Sequence, residues 1–354
     1  MSHELESIAQ TLVAEGKGIL AADETVPTLT RRFDTLGIQS TEQSRRAYRE
    51  MLFTAPGAAE FISGVILQDE TIRQRSSAGI PLAEVLANPG NPSRHQGRYR
   101  REAACRLSRR DSHRRARRAS RPPLRVLWNG RPLREMAGCH PCYGGSAEPP
   151  CVSANAHALA RYAALCQEQH LVPIVEPEVL MDGSHTIERC EQVTAVILHA
   201  VFHALFKQGV ALEGMLLKPN MVISGKECAR QASVDEVSTA TLRCLRRRVP
   251  AAVPGIVFLS GGQNARLATA HLNAISRLPG PKPWKVCFSY GRALQDPALE
   301  AWHGWDENLA AGQRALSQRA RANAAASAGK YTAEIEAEAP TVDEPPHRRA
   351  WRDD

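Results

Sequence analysis

An α/β fold built on a parallel sheet is predicted by three features of the sequence. Short apolar segments alternate with longer stretches in which apolar residues recur every three or four positions. The short segments run directly into polar or charged residues at their C-terminal ends. Neighbouring segments are joined by connections long enough for a crossover helix, which parallel strands require. The expected architecture is therefore a doubly wound sheet or a (β/α)8 barrel.

Taken in order, the strand candidates are Gly18–Ala22, Gly64–Leu67, Leu171–Val175, Gly214–Leu217, Gly255–Leu259 and Lys285–Phe288. Ala156–Glu168, Ile187–Gln208 and Ser233–Val249 carry helical periodicity, and Gly16 and Gly37 stand where helices stop. Six strands are visible, with roughly one hundred residues separating the second from the third.

Composition bounds the class. The 354 residues are 43% apolar and 23% charged, which excludes a mostly disordered chain. No apolar run approaches the eighteen or so residues of a membrane span, and MSHELESIAQ lacks a signal-peptide pattern. Nine cysteines, an odd number scattered from Cys105 to Cys287, suit a reducing cytoplasm better than a disulfide framework.

Net charge is +8, which invites a nucleic-acid reading. Residues 89–150, however, hold fifteen arginines, no lysine and four acids, so this window carries +11 and the rest of the chain −3. The arginine cluster Arg114–Arg121 lacks interleaved aromatics and any nucleic-acid fold signature, so no nucleic-acid partner is expected. Cys139-His140-Pro141-Cys142 has no second ligand pair at suitable spacing, and no metal or other cofactor is expected. Arg246–Arg248 read as a solvated helix end.

Chemistry concentrates where the strands end. Asp23 follows GILAA, Glu176 and Glu178 follow VPIV, Lys218 follows GMLL, Ser260-Gly261-Gly262 follow IVFL, and Ser289 and Arg292 follow KVCF. A lysine with apolar neighbours on both sides is costly unless it pairs or loses its proton, and a desolvated amine can form a Schiff base with a ketone. Glu176 and Glu178 stand two apart on one strand face and can move protons. The Ser260–Gly262 turn offers backbone N–H groups to an anion, to which Arg292 adds charge. Together they point to carbon–carbon bond chemistry on a phosphorylated keto sugar.

The stretches GKGILAADE, FISGVILQDET, ANAHALARYA, VPIVEPEVL, LEGMLLKPNMV, GIVFLSGGQ, LNAI and WKVCFSYGRALQ resemble class I fructose-bisphosphate aldolase, in family order, over about residues 5–88 and 151–332. The resemblance implies a single (β/α)8 TIM barrel, cytoplasmic and commonly tetrameric, that cleaves fructose 1,6-bisphosphate without metal. It implies Lys218 as the Schiff-base lysine, Glu176 with Glu178 beside it for acid–base transfer, and Asp23 near the cleaved bond. Ser260, Gly261, Gly262, Ser289, Gly291 and Arg292 fall where one phosphate is held. Thr25, Thr28 and Arg32 fall where the other is held, although ADETVPTLTRR departs from the commoner ADESTGSIAKR. The chain ends HRRAWRDD, without the tyrosine that the family's tail often supplies, and residues 333–354 are expected to be a flexible tail.

The family's third and fourth strands, resembling GIKVDTGAKPLA and FAKWRAVI, each carry a lysine, and neither is present in residues 89–150. Written in suitable codons and read out of frame, from each third base, the first yields His-Gln-Gly-Arg-Tyr-Arg-Arg-Glu-Ala-Ala-Cys, as in residues 95–105. The second, extended to YYGMGARFAKWRAVI, yields LWNGRPLREMAGCH, as in residues 127–140. The segment thus reads as a frameshift near Asn88, undone shortly before Val152. The expectation is an irregular window, strands 3 and 4 missing or scrambled, and impaired activity. The alternative is a catalytically dead, aldolase-like binding or scaffold protein.

Overall fold

Successive side chains of a strand point to opposite faces, so a barrel strand wrapped in helices must be apolar on both. The computed structural model describes residues 2–87, 124–128, 131–137 and 149–337. Eight strands close into a barrel in chain order. They are β1 (Gly18–Ala22), β2 (Ile62–Leu67), β3 (Leu124–Trp128), β4 (Arg131–Ala137), β5 (Pro173–Glu176), β6 (Leu216–Leu217), β7 (Gly255–Phe258) and β8 (Lys285–Tyr290). One set of alternating residues, including Ile19, Ala21, Ile66, Ile174, Leu216, Val257 and Cys287, packs with Leu5, Ile8 and Leu12 of helix α1 (Ser2–Leu12) as an inner core. The other set, including Leu20, Leu67, Val175, Leu217, Phe258 and Phe288, joins the larger core beneath the helices.

The six strands expected from the sequence all form. The fourth of them, β6, is short because a 3-10 turn, Leu212–Gly214, takes its first residue and the strand begins only at Leu216. There the Gln167 amide donates to the Ala211 and Gly214 carbonyls at 2.8 and 3.2 Å, satisfying groups a strand partner would otherwise meet.

The helices are placed by their caps. After α2 (Val26–Asp34), α3 (Glu42–Phe53) opens with a Thr41–Ser44 capping box; α4 (Ala58–Phe61), α5 (Asp69–Arg73) and α6 (Leu82–Ala87) are short. The helix expected from Ala156 begins earlier, as α7 (Pro149–Glu168). Thr186 caps α8 (Ile187–Lys207), and Ser233 and Glu236 form a capping box on α9 (Val234–Arg248). Asn264 caps α10 (Ala265–Arg277), and α11 (Arg292–Trp302) and α12 (Leu309–Ser327) complete the outer layer.

The third and fourth places in the sheet are not filled by two βα units. They are filled by a hairpin in which β3 runs antiparallel to both β2 and β4, while β4 runs parallel to β5. Residues 124–128 and 131–137 are thus extended where an irregular window was expected, and the ring of hydrogen-bonded strands closes. The Cys139–Cys142 motif and Arg114–Arg121 lie outside the described residues. Of the expected tail, residues 333–337 form helix α13 (Ala333–Ala337), pinned through Glu336 to Arg319 at 2.5 Å, Arg266 at 2.8 Å and the Tyr331 hydroxyl at 2.7 Å. Residues 338–354 lie outside the described residues. Cys166, Cys190, Cys228, Cys244 and Cys287 are in no disulfide, whereas Cys151 is disulfide-bonded, contrary to the reduced state expected from the sequence.

Trp302, fully buried at the end of α11, stacks on Tyr48 at 5.7 Å and tilts against Phe33 at 6.3 Å, joining α11 to α2 and α3. Trp302→Ala is expected to destabilise the fold by about 3–5 kcal/mol, read as a shift in the denaturant midpoint at unchanged m-value.

Candidate active site

The two-residue period of the inner layer runs to the C-terminal ends of the strands and, at β1 and β6, one residue past them. Asp23 stands two after Ala21, Glu176 two after Ile174, Lys218 two after Leu216, and Ser289 two after Cys287. The parity that buries the apolar residues therefore aims four polar ones into the C-terminal mouth of the barrel.

Lys218 and Glu176 are 4% and 7% exposed, and their Nζ and Oε1 atoms lie 3.2 Å apart. Each charge offsets the desolvation cost of the other, so both can be held out of water. The Lys218 N–H donates to the Val175 carbonyl at 2.8 Å, holding the exit of β6 against β5. Asn220, buried and unremarked in the sequence reading, accepts from the Val179 N–H at 3.0 Å, tying the segment that carries Glu178 to the one that carries Lys218.

The three carboxyls sit in different environments. Burial pushes Asp23 up to about 6, with Lys218 opposing and the charges of Glu24 and Glu176 adding to the rise. Burial, then the charge of Glu176, raises Glu178. Glu178 also borders the anion turn: a Cβ on Gly261 would lie 3.4 Å from its Oε1.

The turn Ser260-Gly261-Gly262 leaves β7 beside the end of β8, since Phe258 pairs with Phe288 in register. Gly262 has φ +77°, and a Cβ there would lie 2.8 Å from Met181, so the turn requires glycine. Ser289 is buried, and its Oγ has no hydrogen-bond partner among the described residues. Gly291 then opens α11, whose first-turn N–H groups suit an anion, and Arg292 is exposed at the rim. Gln263, next after the turn, is held through its Oε1 by His271 Nδ1 of α10 at 2.6 Å.

The second expected phosphate group is arranged differently. The Thr25 and Thr28 hydroxyls lie 3.1 Å from each other at the start of α2. Thr28, Arg31, Arg32 and Arg292 line one cleft of about 550 Å³, yet the guanidinium of Arg32 is already engaged. It meets Glu24 and Asp296 at 2.7 Å each and Gln295 and Tyr48 at 3.3 Å each. Arg49, 2% exposed, meets the other oxygen of Glu24 at 2.7 Å. Burial alone would raise Glu24, but Arg49 and then Arg32 outweigh it and hold the carboxyl below its ordinary range. This network braces the end of β1 beside Asp23. Of this network the sequence singled out only Arg32, and as a phosphate ligand; Glu24 went unremarked, and Arg49, Tyr48 and Gln295 reach it from distant positions.

Two predictions follow from these charges. Arg49→Ala leaves Glu24 buried with one partner and is expected to destabilise the fold by about 3–5 kcal/mol, read by denaturant titration. Asp23 keeps its proton to higher pH when folded than its ordinary value of 3.8. Raising the pH from 4 through about 6 therefore ionises it at the expense of stability. Asp23→Asn is expected to flatten that part of the stability–pH curve and to make the fold more stable at pH 7.

The comparisons agree with this geometry. The family model for class-I fructose-bisphosphate aldolase matches residues 4–92 and 146–344, on either side of the arginine-rich window. A protein of Xanthomonas campestris pv. campestris described as a probable fructose-bisphosphate aldolase class 1 is 45% identical over 358 residues, spanning 93% of this chain and 98% of its own. Drosophila melanogaster fructose-bisphosphate aldolase is 44% identical over 352 residues, spanning 94% and 92%. Plasmodium falciparum fructose-bisphosphate aldolase, solved with TRAP and a small-molecule inhibitor, superposes with a TM-score of 0.79 at 39% identity, covering 94% of this chain and 96% of that one. With its barrel, its buried lysine and these relatives, the chain belongs to the class I fructose-bisphosphate aldolase family.

Proposed function

We propose that the site performs Schiff-base aldol cleavage of fructose 1,6-bisphosphate to dihydroxyacetone phosphate and glyceraldehyde 3-phosphate. The observation that carries this reading is the buried Lys218 amine 3.2 Å from the Glu176 carboxylate, with Asp23 in the same mouth. Glu176 takes a proton from the Lys218 ammonium, the freed amine adds to the ketone carbon, and the same proton, passed to the carbinolamine hydroxyl, releases it as water and leaves a protonated imine. A carboxylate, Asp23 or Glu176, takes the proton of the C4 hydroxyl as the C3–C4 bond breaks. The electron pair flows to the imine nitrogen, glyceraldehyde 3-phosphate leaves, and protonation at C3 followed by hydrolysis frees dihydroxyacetone phosphate and the amine. A carboxyl titrating near 6, as Asp23 does, suits proton exchange close to neutral pH. The Ser260 turn, Ser289 and the start of α11 with Arg292 hold one phosphate, and the cleft lined by Thr28 and Arg292 receives the other. The charge of −3 outside the window speaks against a nucleic-acid partner. The family resemblance supports a cytoplasmic homotetramer, which size-exclusion chromatography with light scattering would measure.

One observation favours the second reading, a binding or scaffold protein without turnover. In register, Glu135, Met136 and Ala137 of β4 stand opposite Ile174, Val175 and Glu176, so this part of the fourth strand brings no lysine beside Glu176; on the frameshift reading the family's lysine codon is split across Glu135 and Met136. Two missing cations that would stabilise developing charge are expected to cost on the order of a hundredfold or more in turnover.

Borohydride reduction in the presence of dihydroxyacetone phosphate is expected to place a covalent adduct on Lys218 and none on Lys218→Met. A soluble, folded chain that yields no adduct rules out the Schiff base. Restoring the family's frame across residues 89–150 is expected to raise turnover at least a hundredfold over the chain as written. Equal turnover of the two chains would show that the window does not matter to catalysis.

A further inference from the structure

The outward face of α8 carries a feature that the aldolase site does not use. His199 and His203 stand four residues apart, one turn of helix, and both are exposed. Their rings face one another with centroids 6.5 Å apart and planes inclined by 15°. Among the described residues neither ring is engaged in a hydrogen bond or an ion pair. Two imidazoles with this spacing on one helix face can turn their nitrogens toward one ion, at about 2.0–2.1 Å for zinc. Val196 and Phe206, one turn before and one turn after the pair, are 54% and 83% exposed and uncharged, while Lys207, four residues after His203, is exposed and puts one cation near the pair.

We propose that His199 and His203 form a bidentate surface site for a first-row divalent transition ion, the zinc, nickel and copper class that favours imidazole nitrogen. The remaining coordination positions face solvent and are filled by water. The site lies on the outer helical layer, whereas the Lys218 site lies in the barrel mouth, so the proposal stands independently of the aldolase reading. Chelation follows from the fixed spacing: once one ring binds, the helix presents the second at high effective concentration.

The test is isothermal titration of the untagged full-length chain with nickel and, separately, zinc chloride, beside His199→Gln, His203→Gln, the double variant and Cys139→Ser/Cys142→Ser. Circular dichroism checks that each variant keeps its helix content, which exposed glutamines should not alter. The expected result is one ion bound per chain, weakened on the order of a hundredfold by losing either histidine. The double cysteine variant should bind as the parent does. Absence of binding at millimolar metal overturns the proposal. So does undiminished binding by the double histidine variant, or loss of binding in the cysteine variant, which would place the ion on the Cys139–Cys142 motif.

Discussion

A lysine amine and a glutamate carboxylate, both nearly excluded from water, hold each other 3.2 Å apart at the mouth of the barrel. Neither charge would survive there alone: an unpaired buried ammonium or carboxylate gives up its charge or disrupts the fold. The pair needs β5 and β6 adjacent and in register, and it needs the low-dielectric wall that the inner apolar layer supplies. It also sets the electrostatics around it, since Lys218 opposes the rise in Asp23 while the charge of Glu176 reinforces it. The remainder of the site can be understood as what keeps these two side chains placed and faces them with an anion.

That support comes from outside the chemistry. Glu24 is clasped between Arg49 and Arg32, and Arg32 in turn reaches Asp296 on α11, so the end of β1 is tied to the helix that opens the anion site. Burial and charge act in opposite directions on the two neighbouring acids: Asp23 is raised and Glu24 lowered, because the guanidiniums face only the second. One acid is thereby left holding its proton to higher pH and the other held as a carboxylate between two guanidiniums. His271 acts similarly on the other side, fixing Gln263 behind the glycine turn.

The arginine-rich window shows how a barrel tolerates a local change of text. Closure of the sheet requires hydrogen-bonding partners for the edges of β2 and β5, and an antiparallel hairpin supplies them without the crossover helix that a parallel pair would require. Chemistry is less forgiving than closure. Backbone groups pair whatever the side chains, whereas a catalytic cation must occupy one position and one face, and Ala137 stands opposite Glu176 in register.

The sequence by itself determined the parallel α/β class, six of the eight strands, and the gathering of polar residues at the strand ends. These are local signals: apolar period, glycine placement and a lysine out of keeping with its neighbours. It also marked residues 89–150 as foreign to the rest, from charge and from the absence there of the family's third and fourth strands. Only the tertiary structure decided that a hairpin takes the third and fourth places, that Arg32 is bound up with Glu24 and Asp296, and that Arg49, Gln295, Asn220 and His271 support the site. Apart from Arg32–Glu24 and His271–Gln263, each eight residues apart, the side-chain contacts among these join positions far apart in the chain. Nothing in the local pattern distinguishes a guanidinium that will meet a carboxylate across the barrel from one that will meet water.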